Sequence, residues 1–328
     1  MFARLTSVST TLVPAVQGKP RGRASARDRR RRSFSTRQAL ILGATHLGAV
    51  VAFGVPTPAG AMILLAAYLA TGLGISLGYH RGLSHGAFRA RPWVMRGLCL
   101  LGALALQGGP ISWVGFHRAH HRFADHHGDP HAATRGFFWS HVGWALHKAP
   151  NGYRRQKLRH LTLGLERDPF LVWLEKRHLW LNLGLFSLTF VLAGAKLALW
   201  AYPLRIVLLW HATWLTNSIA HGVHCRVPRP RNVHWLALIA FGEGLHANHH
   251  ELPSHASFAR ARGELDPGYW ALAVLDKLGA VTLPKRAKAR TTSTPLPVAS
   301  TPGASLKGEA SAAKVTIESD GALPARHC

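Results

Sequence analysis

The stretch QALILGATHLGAVVAFGVPTPAGAMILLAAYLATGLGISLGYH, from Gln38 to His80, contains no Asp, Glu, Lys or Arg. It is broken only at Val55-Pro56-Thr57-Pro58-Ala59-Gly60, where two prolines and a glycine mark a turn. About 17 to 20 residues lie on each side of that turn, the length a helix needs to cross the apolar slab of a bilayer. We read a membrane hairpin with spans at about 38–54 and 60–79. A second hairpin is expected at about 179–200 and 204–221, with its turn at Ala201-Tyr202-Pro203. Lys196 and Arg205 flank that turn and are placed to snorkel to the interface, while Asn182 and His211 are half-buried polar groups that need partners. The competing reading of these runs is a set of buried helices in a soluble core.

Basic residues orient the hairpins. An Arg-rich arm precedes the first span and Lys176-Arg177 precedes the third, whereas the first turn has no basic residue. Both termini and residues 80–178 are therefore expected on the cytoplasmic side, which in a bacterium means the inner membrane. The apolar stretch Leu98 to Leu106 is too short to span, and is expected at the interface or packed beneath the cytoplasmic domain. Residues 1–37 and 285–328 read as disordered ends rich in Ser, Thr, Pro and basic residues, leaving 38–284 as the folded domain. A cleavable signal peptide does not fit the long apolar stretches after the arm. The arm's Arg- and Ser-rich, acid-poor composition is also that of a transit peptide.

Over the whole chain of 328 residues, 40 Lys and Arg face 14 Asp and Glu, a formal charge of +26. Taken alone, that balance suggests a nucleic-acid binder. Half of it belongs to the two ends, and 48% apolar residues with 22 His and 11 Trp fit a phosphate-reading domain poorly. No nucleic-acid partner is expected. Three distant cysteines form neither a disulfide framework nor a thiolate metal site.

The histidines are clustered. His80 and His85 stand in HRGLSH, His117, His120 and His121 in HRAHH, His221 in NSIAH, and His246, His249 and His250 in HANHH. On a helix, positions i, i+3 and i+4 share a face, so HRAHH and HANHH each direct two or three imidazoles to one point. A step of five splays His80 and His85 by about 140° on an α-helix, so this box is expected where a helix frays or bends. Nine imidazoles exceed the four of a tetrahedral zinc site and imply two metals. With no thiolate or carboxylate inside the boxes, an oxygen-activating di-iron pair is the expected identity.

HRGLSH, then HRAHH followed by DPHAATRGFFWSHVGW, then NSIAH and GEGLHANHH, resembles the membrane fatty-acid desaturase family, in particular its Δ9 acyl-CoA and acyl-lipid branch. The likeness runs from about Gln38 to Leu283. It implies an all-α integral membrane fold of four transmembrane helices in two hairpins, with a cytosolic helical domain holding two iron ions. The implied reaction introduces a cis double bond, at Δ9, into a saturated acyl chain carried on CoA or a lipid, using O2 and two electrons. All nine ligand positions of the family are His here, and Asn217 matches the Asn that holds a metal-bound water. Gln107, Trp113, Thr213 and Trp214 match residues at the bend of the acyl tunnel, although Trp and Thr at membrane helix ends are also ordinary packing residues. Asp129, His131 and Glu243 resemble groups that orient ligand imidazoles. Asp125, His126 and His127 read equally well as a solvated turn.

One departure bears on the carrier. Where several acyl-CoA desaturases have an Arg-Asp pair before the second box, this chain has Gly115-Phe116, which weakens CoA and leaves room for a lipid-bound or carrier-bound acyl group. The chain carries no haem CxxCH, iron-sulfur cysteine set or dinucleotide GxGxxG, so electrons are expected from a ferredoxin, or from cytochrome b5 with its reductase. Arg118, Arg122, Arg135, Arg154, Arg155, Lys157 and Arg159 would attract an acidic donor and anionic lipid, and equally satisfy positive-inside topology. The nearest rivals are a di-iron hydroxylase or carotenoid ketolase on the same scaffold, and a non-enzymatic membrane haem or metal binder.

Overall fold

The computed structural model describes residues 33–126, 128–148 and 160–284. The Arg-rich arm, His127, the segment with Arg154, Arg155, Lys157 and Arg159, and the tail from residue 285 lie outside the described residues. Helix α1 (Thr36–Phe53) begins at Ser35, whose hydroxyl accepts from the Gln38 N–H. Helix α2 (Pro58–Leu73) opens on a proline, whose fixed φ suits the first helical position and whose missing N–H costs nothing there. Instead of stopping, it widens into an 11-residue π-helical segment, Gly74–Ser84.

Two short helices return along that segment. Helix α3 (Pro92–Leu104) packs antiparallel to it, with Leu98 against Gly78 and Gly102 against Gly74. A Cβ on Gly74 would lie 2.3 Å from the Gly102 nitrogen, so only glycine lets the two backbones approach this closely. The helical part of the stretch 98–106 is thus packed alongside the π segment. Its Cys99 and Ala103 share a core with Ile75, Tyr79, Leu171, Leu174 and Leu209. Helix α4 (Pro110–Phe123) then runs back toward the end of the π segment, and Arg118 on it donates to the terminal carbonyls of Leu83 and Ser84. This arginine serves as a helix cap, where the sequence suggested a free basic face.

Helix α5 (Phe137–His141) is followed by the long run α6 (Pro169–Leu199), capped by Asp168. The chain reverses inside α6, at Gly194 (φ 83, ψ 167), and not at the expected 201–203. Thr189 Oγ1 and Tyr202 Oη lie 3.4 Å apart although an unbroken helix would separate them by about 20 Å. Only glycine adopts that backbone conformation freely. Pro203 is absorbed in a widened turn, Trp200–Leu204, that leads into α7 (Arg205–Ser218). Arg205 does not snorkel: it is 2% exposed, inside the bundle. Asn182 finds its partners in the carbonyls of Ala103 and His178, and His211 pairs with His46 and His141.

Helices α8 (His234–Ile239), α9 (His246–Glu251) and α10 (Pro267–Lys277) complete the described chain, and strands β1 (Arg89–Ala90) and β2 (Val281–Thr282) pair antiparallel. Two helical runs, Pro58–Ser84 and Pro169–Ser218, are long and apolar enough to cross a membrane. Only 6% of the most apolar window of the second is buried. That is the opposite of a soluble core helix.

Candidate metal centre

Four elements deliver the nine box histidines to one place. In the π segment the His85 N–H bonds to the His80 carbonyl, five residues back. At about 4.4 residues per π turn, a step of five departs from one face by only ~50°. The two rings consequently lie 5.1 Å apart. Box one closes the helix, which ends at Ser84 with His85 as its cap, and its last turns have a changed period. Helix α4 presents His117, His120 and His121, helix α9 presents His246, His249 and His250, and His221 stands in the turn after α7.

The ring nitrogens form two groups. His80, His85, His117, His121 and His249 make one, and His120, His221, His246 and His250 the other, each with its ligating atoms within 4.8 Å of one another. Helices α4 and α9 each contribute to both. Six Nε2···Nε2 separations between 2.7 and 3.2 Å tie the rings together, among them His80 to His249 at 3.0 Å and His221 to His246 at 2.9 Å.

Carboxylates stand behind three of the rings. Glu243 accepts from His80 Nδ1 at 2.5 Å and from the Ser76 hydroxyl; Asp129 accepts from His120 Nδ1 at 2.9 Å; Asp125 accepts from His221 Nδ1 at 2.7 Å. Asp129 also accepts the backbone N–H groups of Asp125 and His131. The His131 ring lies 4.4 Å from that of His120, but its Nδ1 is 3.6 Å from Asp129, beyond a hydrogen bond. Asp125 is no solvated turn: it is 9% exposed, at φ 60, and holds both His221 and the Ala133 N–H. His126 contributes backbone turn bonds to Phe123 and Asp129.

These contacts fix the electrostatics. Burial pushes the imidazoles of His117, His120, His121, His246, His249 and His250 well below the usual histidine range, and neighbouring rings push the same way. Burial alone would raise the Glu243 carboxyl, but His80, Arg81 and Ser76 outweigh it and hold it below its ordinary value. With their Nδ1 atoms on carboxylates, His80, His120 and His221 aim Nε2 inward at the Nε2 atoms of His249, His250 and His246, rings whose charging burial disfavours. Convergent lone pairs without enough protons to share are a donor set suited to transition-metal cations.

A cavity walled on one side by His80, His117, His120 and His246 is also lined by Trp113, Thr213, Asn217, Glu243, Ile75 and Leu209. Gln107 links two of these, donating to Thr213 Oγ1 at 2.9 Å and accepting from Trp113 Nε1 at 3.3 Å, while Trp113 stacks on His117. Trp214 lies elsewhere, packed against Trp210, His211 and His141. Sequence reasoning missed the buried pair Arg81–Asp266 (2.9 Å). Asp266 also accepts from Phe258 N and Tyr269 N, and Arg81 lies over the Phe258 ring that packs on His249. The signal available was only that Arg81 follows a box histidine.

Residues 56–263, which include every one of these boxes, match the model of the fatty acid desaturase family. The chain is 40% identical over 212 residues to the sn-2 palmitoyl-lipid 9-desaturase of Nostoc sp. (strain 36), covering 63% of this chain and 74% of that protein. It is 36% identical over 245 residues to the sn-1 stearoyl-lipid 9-desaturase of Anabaena variabilis, covering 72% and 89%. The protein of that same name from Synechocystis sp. is 34% identical over 242 residues, 71% of this chain and 75% of that one. A match across most of the folded chain, with its boxes gathered in space, makes this chain a member of the fatty acid desaturase family.

Proposed function

We propose that the nine histidines hold two iron ions, five about one and four about the other, with Asn217 holding a water on the four-histidine side, and that the acyl chain desaturated is a saturated chain of a membrane lipid, which receives a cis double bond at Δ9. As a fatty acid desaturase, the protein is an oxidoreductase that introduces a double bond into saturated acyl chains. The observation that carries the metal reading is the five-plus-four division of ring nitrogens, three of the rings backed by carboxylates. Bound iron with O2 supplies the oxidising power to take hydrogen from an unactivated methylene, which no side-chain acid or base can do. One O2 takes the two hydrogens lost from the chain, two electrons from a ferredoxin, or from cytochrome b5 with its reductase, and two protons, and leaves as two waters.

The chain's own residues bind and orient. Ile75, Leu209 and Trp113 give the acyl chain an apolar channel that excludes water. Glu243, Asp129 and Asp125 fix the tautomer and aim of the rings in front of them. Gly115-Phe116, in place of an Arg-Asp pair, and the lipid substrates in the relatives' names favour a lipid carrier over CoA. Four spans follow from α1, from α2 with its π segment, and from the two arms around Gly194. Leu47, Leu65, Leu188, Val191 and Leu192 are exposed along them as a lipid-facing surface. Both termini and the histidines then face the cytoplasm, with 38–284 as the membrane domain.

Expression in a desaturase-deficient host with a matched electron donor, followed by mapping of double bonds by mass spectrometry, tests the reading. New unsaturation at the ninth carbon of membrane lipids is expected, and unchanged lipids despite good expression would refute it. Product made faster from added acyl-CoA than from lipid would overturn the carrier. His249→Ala and His120→Ala should abolish product while the chain stays membrane-inserted; retention of half the activity refutes their ligand role.

A further inference from the structure

Arg205 opens α7 inside the bundle, nearly fully buried. Its Nε donates to the Ala201 carbonyl at 3.0 Å, and its Nη1 to the Thr71 hydroxyl at 3.1 Å and the Leu104 carbonyl at 2.8 Å. All three partners are neutral. Leu104 is the last residue of α3, so its carbonyl belongs to the negative end of a helix that stops within the bundle. That dipole offsets part of the cost of burying a guanidinium, but an uncharged Gln could bond the same carbonyl without the desolvation penalty. The charge itself calls for a second role.

Its position supplies one. The cavity descends from His80 and Asn217, past Ser76 and Thr213, to Gly72 and Leu209. Arg205 lies one helical turn beyond Leu209, and its partner Thr71 precedes Gly72. Through Thr71, Leu104 and Ala201 the guanidinium ties α2, α3 and the start of α7 together one turn past Leu209, the lining residue of α7 farthest from the histidines.

We propose that Arg205 is the floor of the acyl site and sets how many methylenes fit on the methyl side of the reacting carbons. This rests on the reading that the cavity receives the acyl chain. A terminal methyl that advanced farther would have to break three hydrogen bonds of a buried charge and offer nothing in return, so the chain stops at the guanidinium. Chain-length selection at this end is thus electrostatic as well as steric.

The test expresses wild type, Arg205→Met, Arg205→Gln and Arg205→Lys in the same desaturase-deficient host with its donor, fed an even-numbered series of saturated fatty acids. Products are normalised to membrane-inserted protein. Met is shorter than Arg by two side-chain atoms, about the length of two methylenes. Arg205→Met should raise the optimum by two carbons and the ratio of longer to original product roughly tenfold. The double bond, counted from the carboxyl end, should not move, and Arg205→Lys should keep the wild-type optimum. If Arg205→Met does not insert, Arg205→Gln, which retains a donor for Leu104, must shift in the same direction. An unmoved profile, a uniform loss at every length, or failure of both neutral variants to insert would reduce Arg205 to a helix cap and overturn the proposal. A wild type that desaturates no length overturns the substrate reading itself, a result distinct from an unmoved profile.

Discussion

Replacing Asp125 by Asn changes no volume and one hydrogen-bonding polarity. Asp125 Oδ2 accepts from His221 Nδ1 at 2.7 Å, and Oδ1 accepts from the Ala133 N–H at 3.1 Å. An Asn that keeps its oxygen on Ala133 must turn its NH2 toward His221 Nδ1, donor against donor. The imidazole escapes only by moving its proton to Nε2, the nitrogen that faces His246 Nε2 at 2.9 Å. A lone pair is thereby withdrawn from the four-histidine group. A charge-assisted bond of this kind contributes about 1.5–3 kcal/mol. Loss of such a partner lowers metal affinity about 10–100-fold, or roughly 1.4–2.8 kcal/mol, so the two routes agree. Asn also tolerates the left-handed backbone at this position (φ 60), which keeps strain out of the comparison. Iron per chain, titrated on purified protein at graded free iron, should show one ion bound as in wild type and the other weakened 10–100-fold, with product falling in step. Asp125→Asn protein that binds both ions like wild type would refute the role given to the carboxylate.

Two further perturbations follow from the fold. Gly194→Ala meets no atom within 4 Å of the new Cβ, so its cost is purely that of φ 83 in a residue with a side chain, about 1–3 kcal/mol. A lowered melting temperature with unchanged products is expected, and an unchanged one would mean that the reversal does not depend on glycine. Burial, helped by His211, pushes the His141 imidazole from 6.5 down to about 4. Between those values the unfolded chain binds more protons than the folded one, so this contribution to stability is full above pH 6.5 and is lost as pH falls toward 4. His141→Gln should flatten the fall of melting temperature over that window; curves parallel to wild type would contradict it.

Much of this was legible in sequence because its signals are local. The absence of charge from 38 to 80 and the one, three and four spacings of HRAHH and HANHH need no tertiary information. The second turn was misplaced because Pro203 is the stronger local breaker, yet a widened turn absorbs it, while Gly194 sits unmarked in an apolar run. The spacing of five in HRGLSH announced a problem of register that only the hydrogen-bond pattern of the backbone resolves. Division of the nine rings into five and four depends on which side of α4 and α9 meets the π segment. Asp125 finds His221 across 96 residues, a pairing that no spacing rule reaches.

Asp125, Asp129 and Glu243 place three formal negative charges one ring-width from a pocket whose facing atoms are imidazole nitrogens. Two divalent cations would bring four positive charges into a region that solvent counter-ions cannot enter, and the acids leave only about one of these uncompensated. Because the compensation arrives through the imidazoles, no protein oxygen has to occupy a position on the cation. Charge balance and open coordination, which usually compete, would then fall to different atoms of the same side-chain pairs.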